Sequence, residues 1–228
     1  MTTITPSQLN YDHYSGTKYD CDIVNSIPHH RKIHHLIANY AQKRLLNKNI
    51  EVLDLGVGTG ITSKLLQNIL PSAKFTAVDF SKQMLKSAAR KLGKDNVCYI
   101  FGDYAKLKFN QKFDLIVSVI GLHHQDTTGK KKMFKKIFSL LKPGGIFIFG
   151  DLVTYKNKYH AAYNNALHFH HLVEKSSNKK TLTEWAHHHM FLNDLAPIED
   201  QIDWLKKVGF KIEIKFIKTN TALLICKK

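Results

Sequence analysis

The sequence predicts one α/β domain built on a largely parallel β-sheet. Apolar, strand-like runs alternate with helical stretches from Asn49 onward, and a glycine-rich loop joins the first run to its helix. The run Phe113–Ile120 is nearly all apolar, as in a strand buried on both faces. At 228 residues the chain suits one sizeable domain with a small elaboration and is too short for two full domains.

The elements follow in order. Ile50–Leu55 reads as the first strand, Ile61–Leu70 as a helix stopped by Pro71, and Lys74–Asp79 as the second strand. Ser81 has the chemistry of an N-cap for a helix to about Leu92, where Gly93 supplies the stop. Val97–Phe101 is a third strand and Phe113–Ile120 a fourth. A lysine-rich helix, Lys130–Leu141, ends at Lys142-Pro143-Gly144-Gly145, a tight turn into a fifth strand, Ile146–Gly150. Between Leu152 and Pro197 the rhythm breaks into an insertion rich in His, Asn and Tyr, with helical patterns and no clear strand. Ile198–Val208 is an amphipathic helix. Phe210–Ile217 and Thr221–Cys226 then pair through Thr219-Asn220, antiparallel because the connection is too short for a crossover. Residues 1–48 read as a mainly helical lid across the carboxyl ends of the strands, and 49–228 as the main domain with its 152–197 insertion.

No apolar run approaches the roughly 18 residues of a membrane helix. The polar start Met1–Asn10 lacks a signal-peptide pattern. Cys21, Cys98 and Cys226, odd in number and widely spaced, read as reduced thiols. The expectation is a cytoplasmic protein without a membrane partner, monomeric or homodimeric. The net charge of +16 raises the question of nucleic acid, because clustered cations bind phosphate by releasing counterions. Only Arg31, Arg44 and Arg90 of the 34 basic residues are arginine, however, and guanidinium dominates bidentate phosphate reading. Lys130, Lys131, Lys132, Lys135 and Lys136 form the one dense cluster. A nucleic-acid partner is therefore the lesser expectation.

The chemistry concentrates in Glu51-Val52-Leu53-Asp54-Leu55-Gly56-Val57-Gly58-Thr59-Gly60. A glycine loop after a strand also marks dinucleotide enzymes. Asp54, two residues before the first glycine, suits a cationic ligand without phosphate and would repel a pyrophosphate. Asp79 closes the second strand 19 residues after Gly60, where an acid accepts hydrogen bonds from ribose hydroxyls. Each acid has a plainer alternative as a loop cap.

VLDLGVGTG, AVDFS, GDYAKL, FDLIVSVIGLHH and LKPGGIF, in this order, resemble the motifs of class I S-adenosylmethionine-dependent methyltransferases, over about Ile50 to Lys228. The resemblance implies a Rossmann-like, seven-stranded sheet with its last strand reversed and S-adenosylmethionine as cofactor, leaving as S-adenosylhomocysteine. Carried over by position, it puts Gly56, Gly58, Thr59 and Gly60 beside the methionine moiety and Asp79 on the ribose. Phe80 and Met84 would flank the adenine, Asp103 and Tyr104 would meet its edge, and Val119 and Ile120 would close the pocket. Tyr11-Asp12, Tyr19-Asp20 and Ser26-Ile27-Pro28-His29-His30 resemble the lid of a subgroup that includes carboxy-S-adenosylmethionine synthases. Glu199–Leu205 and Val208-Gly209-Phe210 look similar too. Where that subgroup has Gly-Tyr this chain has His29-His30, and Gly121-Leu122-His123-His124 follows the generic methyltransferase pattern. Both departures weigh against a carboxylated cofactor.

Fourteen histidines are many for this length. His123 and His124 follow the fourth strand, near where a methyl acceptor must sit, and a neutral imidazole with a pKa near about 6.5 can take its proton. The alternative places His123 under the adenine and His124 in a loop cap. Tyr11, Tyr14 or Tyr19 can close an aromatic face over the sulfonium, or simply pack a lid. His30 with His34, and Glu184 with His188, are spaced to share a helix face. His187, His188 and His189 point to different faces and cannot all ligate one ion, so no metal is assigned. The function expected is methyl transfer to an N, O or S nucleophile of a small molecule. The alternatives are a tRNA-pathway enzyme, either a tRNA methyltransferase or a carboxy-S-adenosylmethionine synthase, and a non-catalytic cofactor-binding regulator.

Overall fold

A computed structural model describes residues 16–46 and 49–228. Tyr11, Asp12 and Tyr14 lie outside the described residues. Seven strands form one sheet: β1 (Glu51–Leu55), β2 (Lys74–Asp79), β3 (Val97–Phe101), β4 (Phe113–Val119), β5 (Leu141–Leu152), β6 (Lys211–Lys218) and β7 (Thr221–Lys227). Their order is β3-β2-β1-β4-β5-β7-β6, with β7 antiparallel to both neighbours and the β3-to-β5 pairings parallel. The Rossmann-like arrangement expected from the motifs is therefore present.

Among the described residues eight α-helices accompany the sheet: α1 (Gly16–Ser26), α2 (His30–Arg44), α3 (Ile61–Ile69), α4 (Lys82–Leu92), α5 (Thr127–Leu140), α6 (Lys158–Lys175), α7 (Lys179–Phe191) and α8 (Ile198–Val208). Period-two alternation divides the core. Leu53, Ile116, Phe147, Phe149, Leu224 and Cys226 face α5 and α8, while Val52, Leu115, Val117, Ile148, Leu223 and Ile225 face α2 and α3. Local chemistry sets the helix ends: Ser81 Oγ accepts from Met84 N at 3.2 Å, and Asp126 Oδ1 accepts from Gly129 N at 2.6 Å.

The structure changes three details. The Lys142–Gly145 turn is an irregularity inside β5 rather than a boundary. Leu141 already pairs with Phe113, and the register shifts before Leu115 meets Ile146, so extra β5 residues are accommodated where Gly144 takes a φ of +74°. Within the segment read as a lid, Ile33, Ile37, Tyr40 and Ala41 of α2 pack with the sheet face, because their helical spacing makes an apolar stripe, while His30 and His34 of α2 join Tyr19 and Ile23 of α1 beside the glycine loop. Finally, two lysines of the basic cluster turn inward. Lys130 is buried, with Nζ donating to the carbonyls of Gln125 and Asp194. Lys136 is half-buried and its Nζ donates to the carbonyls of Tyr104, Ala105 and Leu107 at 2.5–3.1 Å. Lys131, Lys132 and Lys135 stay exposed, with Lys131 Nζ 4.8 Å over the Trp204 ring.

Among the described residues no helix is long and apolar enough to cross a membrane. The insertion is helical, as expected. α6 packs on α1 and α7, and the chain returns to the sheet through a single bridge between Thr154 and Pro197.

Candidate active site

Strand order reverses between β1 and β4, which is where open α/β sheets bind ligands beyond the carboxyl ends of their strands. The glycine loop stands at that point. Gly56, Gly58 and Gly60 have φ of +80°, +54° and +85°. At Gly60 a side chain would also press on α4, since an added Cβ would meet Leu92 at 3.3 Å. Gly56 N and Val57 N both donate to Val78 O at 2.9 Å, drawing the loop across β2.

Asp79 completes the loop. It is buried, and its Oδ2 accepts from Gly58 N at 2.8 Å while Oδ1 accepts from Ser81 N at 2.9 Å. The loop-cap alternative thus describes contacts that Asp79 makes in the structure. Asp54 is buried beneath the loop, and its Oδ2 accepts from Ser63 Oγ at 2.7 Å. Burial pushes its carboxyl up to about 7; the Ser63 hydrogen bond opposes this and the nearby Asp79 charge adds to it.

Gly56, Gly58, Thr59, Val119, Ile120 and Tyr19 line one hollow, together with His30 and His34. Asp54, Gly60, Asp79, Phe80, Met84, Asp103 and Tyr104 lie outside its walls. Asp79, Phe80 and Met84 follow from the end of β2, and Asp103 from the end of β3, along the same sheet edge. Met84 is buried. Asp103 Oδ1 accepts from Ala105 N at 2.8 Å. Tyr104, expected at the adenine edge, is buried. Its ring lies 3.7 Å from where a Gly56 Cβ would sit, and its hydroxyl donates to Gly121 O at 3.1 Å, so it buttresses the glycine loop from inside the core.

His30 and His34 in this hollow were visible only as a same-face pair. His34 donates Nδ1–H to His30 O at 2.9 Å and accepts from Thr62 Oγ1 at 3.1 Å through Nε2. His30 Nδ1 is buried without a hydrogen-bond partner among the described residues. Burial, with His34 and Arg31 adding, lowers His30 to about 3, so it stays neutral beside any cationic ligand. Its neighbour His29 occupies the turn with a φ of +62°, the backbone shape for which the resembling lids use glycine. Asp20 was also missed. It accepts from Thr59 Oγ1, and its Oδ2 pairs with Lys91 Nζ at 2.6 Å, strapping α1 to the glycine loop.

A second hollow adjoins the first, sharing Tyr19, Ile23 and Ile120 as walls. Ile120 has a φ of +55°, uncommon for a β-branched residue and the kind of strain that clusters at ligand sites. His123, His168, His188 and His189 line this pocket with Glu184 and Trp185. His123 Nδ1 lies 2.5 Å from Asp151 Oδ1, both groups buried, and His124 Nδ1–H donates to Leu192 O at 2.8 Å. Burial holds His123 and His124 well below the ordinary imidazole range and His188 down at about 4. The other histidines are mainly fasteners: His168 and His171 bond the carbonyls of Ser26 and Asn25, and His189 bonds Asn165 Oδ1 at 2.8 Å.

The switch-point crevice, the glycine loop and the acid at the end of β2 are the arrangement that the methyltransferase-like motifs implied. In the comparison with known proteins, residues 52–145 match the family described as methyltransferase domain. The chain is 32% identical over 136 residues to malonyl-[acyl-carrier protein] O-methyltransferase of Priestia megaterium, covering 58% of this chain and 48% of that protein. It is 27% identical to carboxy-S-adenosyl-L-methionine synthase of Helicobacter hepaticus, covering 97% of this chain and 95% of that protein. An O-methyltransferase family protein from Burkholderia thailandensis shares the fold with a TM-score of 0.71 at 13% identity, over 100% of this chain and 64% of that one. The chain spans about half the length, or less, of the first curated relatives it matches.

Proposed function

We propose that this protein transfers a methyl group from S-adenosylmethionine to an N, O or S nucleophile of a small molecule. The observation that carries this reading is the pair of adjoining hollows with Tyr19, Ile23 and Ile120 between them. Methyl transfer is an in-line displacement, so donor and acceptor must meet across a shared wall, and alignment supplies much of the rate. The first hollow takes the cofactor, with the aromatic face of Tyr19 toward the sulfonium. The second takes the acceptor, with His123 and His124 on the loop that begins it.

The lining favours methyl transfer over synthesis of a carboxylated cofactor, for which the end-to-end likeness to the Helicobacter hepaticus synthase is the argument. A carboxylated cofactor adds a second carboxylate, on the sulfonium carbon at the shared wall, where a facing cation would stabilise it. Among the described residues that line either hollow none is Lys or Arg, whereas Asp22 and Glu184 are present. The acceptor this lining suits is therefore neutral or weakly basic rather than anionic.

Mass spectrometry of a co-purifying nucleoside, with calorimetry against S-adenosylmethionine and S-adenosylhomocysteine, tests the cofactor. Both are expected to bind; absence of binding removes the reading at its base. His123→Ala is expected to keep cofactor affinity and to slow S-adenosylhomocysteine release from a panel of nucleophiles by about 10²–10⁴-fold. Full turnover in both His123→Ala and His124→Ala would take the catalytic role from these histidines.

Asp54 makes cofactor binding pH-dependent. A cationic ligand favours the carboxylate, whereas burial raises the free protein's carboxyl to about 7. Affinity is therefore expected to rise with pH by up to roughly tenfold per unit below that value, then to level off. In the free protein the same raised carboxyl costs stability that grows as pH climbs from its unfolded value, near about 4, through 7. Calorimetry in buffers of different ionisation enthalpy reads the proton released on binding. A flat affinity with no released proton would contradict this assignment.

A further inference from the structure

We propose that His123, His124 and His188 form a binding site for one divalent transition-metal ion of the imidazole-preferring kind, such as zinc. One ring nitrogen from each of the three lies within 4.8 Å of the other two. The ring centroids of His123 and His124 are 4.0 Å apart, and those of His124 and His188 are 5.5 Å apart. The group joins the loop after β4 to α7, more than 60 residues later, so it is assembled by tertiary packing and no sequence spacing announces it.

The surroundings of two of the rings are those of metal-binding imidazoles. A ligating histidine almost always donates its other ring N–H to a carboxylate or backbone carbonyl, which sets the tautomer and aims the lone pair. His123 turns Nδ1 to the Asp151 carboxylate and His124 turns Nδ1 to the Leu192 carbonyl. In both rings Nε2 is then the lone-pair nitrogen. The loop itself is held: Asp194 N donates to His123 O at 2.9 Å, and Lys130 Nζ bridges the carbonyls of Gln125 and Asp194. Such a clamp keeps the two rings side by side.

Three neutral nitrogens and no thiolate select zinc, nickel, cobalt or iron over magnesium or calcium, which prefer oxygen. A set of three protein ligands leaves a fourth position open. Because His123 and His188 both line the acceptor pocket, that position faces into it, with Glu184 one helical turn before His188 on the same wall. An acceptor heteroatom bound at that position would pass its proton to the Glu184 carboxylate in the same pocket; this last role rests on the methyl-transfer reading, whereas metal binding does not.

The test uses the untagged chain, freed of metal with a chelator and titrated with Co²⁺ and Zn²⁺. Cobalt is expected to bind with one equivalent and to show the visible absorption of a four-coordinate site, which one equivalent of zinc then displaces. His188→Ala, checked for folding by circular dichroism, is expected to lose metal affinity by on the order of 100-fold or more, and Asp151→Asn by about 10–100-fold. Histidine-ring NMR on the unsubstituted chain reads the same site if a variant fails to fold. Zinc should shift the Nε2 resonances of His123, His124 and His188 and spare those of His30 and His34. No saturable binding of either ion overturns the proposal, as does binding that shifts only other histidines. S-adenosylmethionine calorimetry on the same metal-free protein reports separately on the cofactor reading.

Discussion

Asp79→Ala is expected to weaken S-adenosylmethionine binding by about 10- to 150-fold, the equivalent of roughly 1.5–3 kcal/mol for hydrogen bonds to a charged group. The expected effect has two sources. One is the proposed direct contact of the carboxylate at the end of β2 with the ribose hydroxyls, which the variant removes. The other runs through the loop, because Asp79 also receives Gly58 N and Ser81 N, and both donors would lose their acceptor. Asp79→Asn separates the two. Its amide oxygen still holds one backbone donor, so most loop order stays while the charge is lost. Calorimetry on both variants, with circular dichroism as the folding check, makes the measurement. Unchanged affinity in a folded Asp79→Ala protein would remove the ribose assignment.

Gly60→Val carries the largest expected effect on stability. At φ +85° an L side chain costs roughly 1–2 kcal/mol in backbone strain. Its Cβ would stand 3.3 Å from Leu92 Cδ1 and Cγ and 3.4 Å from the Ala88 backbone, where α3 and α4 meet. Overpacking of that kind adds about 1–3 kcal/mol. The sum, about 2–5 kcal/mol, lowers Tm by roughly 4–20 °C in a chain of this size. Gly58→Ala is the internal comparison. Gly58 shares the left-handed backbone, with φ +54°, but its Cβ would meet nothing within 4 Å. Its thermal cost should stop at the backbone share, and its larger effect should fall on cofactor affinity, because that Cβ enters the ligand's space. Equal Tm losses in the two variants would contradict this division.

Some departures between sequence and structure have a common cause. The lysines of α5 read as a surface patch because side-chain destination is invisible in a list of residues. Lys130 and Lys136 are long enough to carry their ammonium groups to backbone carbonyls that lie nearby only in the folded chain. Tyr104 reads as a ligand contact from its motif, and its contacts with Gly56 and Gly121 O are equally invisible there. The α2 stripe was helical in the sequence, but whether that helix capped the strand ends or joined a sheet face depended on which apolar surface was left uncovered.

What the sequence by itself determined is the part governed by neighbours along the chain. Strand and helix periodicity, the Ser81 cap, the Gly93 stop, the left-handed glycines of the β1 loop and the acid closing β2 all rest on contacts within a few residues or on one βαβ unit. Those local rules were enough for the individual elements and the closing antiparallel pair, while the seven-stranded order followed from the resemblance of the motifs. Only the tertiary structure decided the second hollow, the Asp20 strap, the Asp151 partner of His123 and the meeting of His123, His124 and His188. Each joins segments dozens of residues apart in the chain. Their proximity follows from how α1, α6 and α7 settle over the carboxyl ends of the strands, and that depends on packing the whole chain at once.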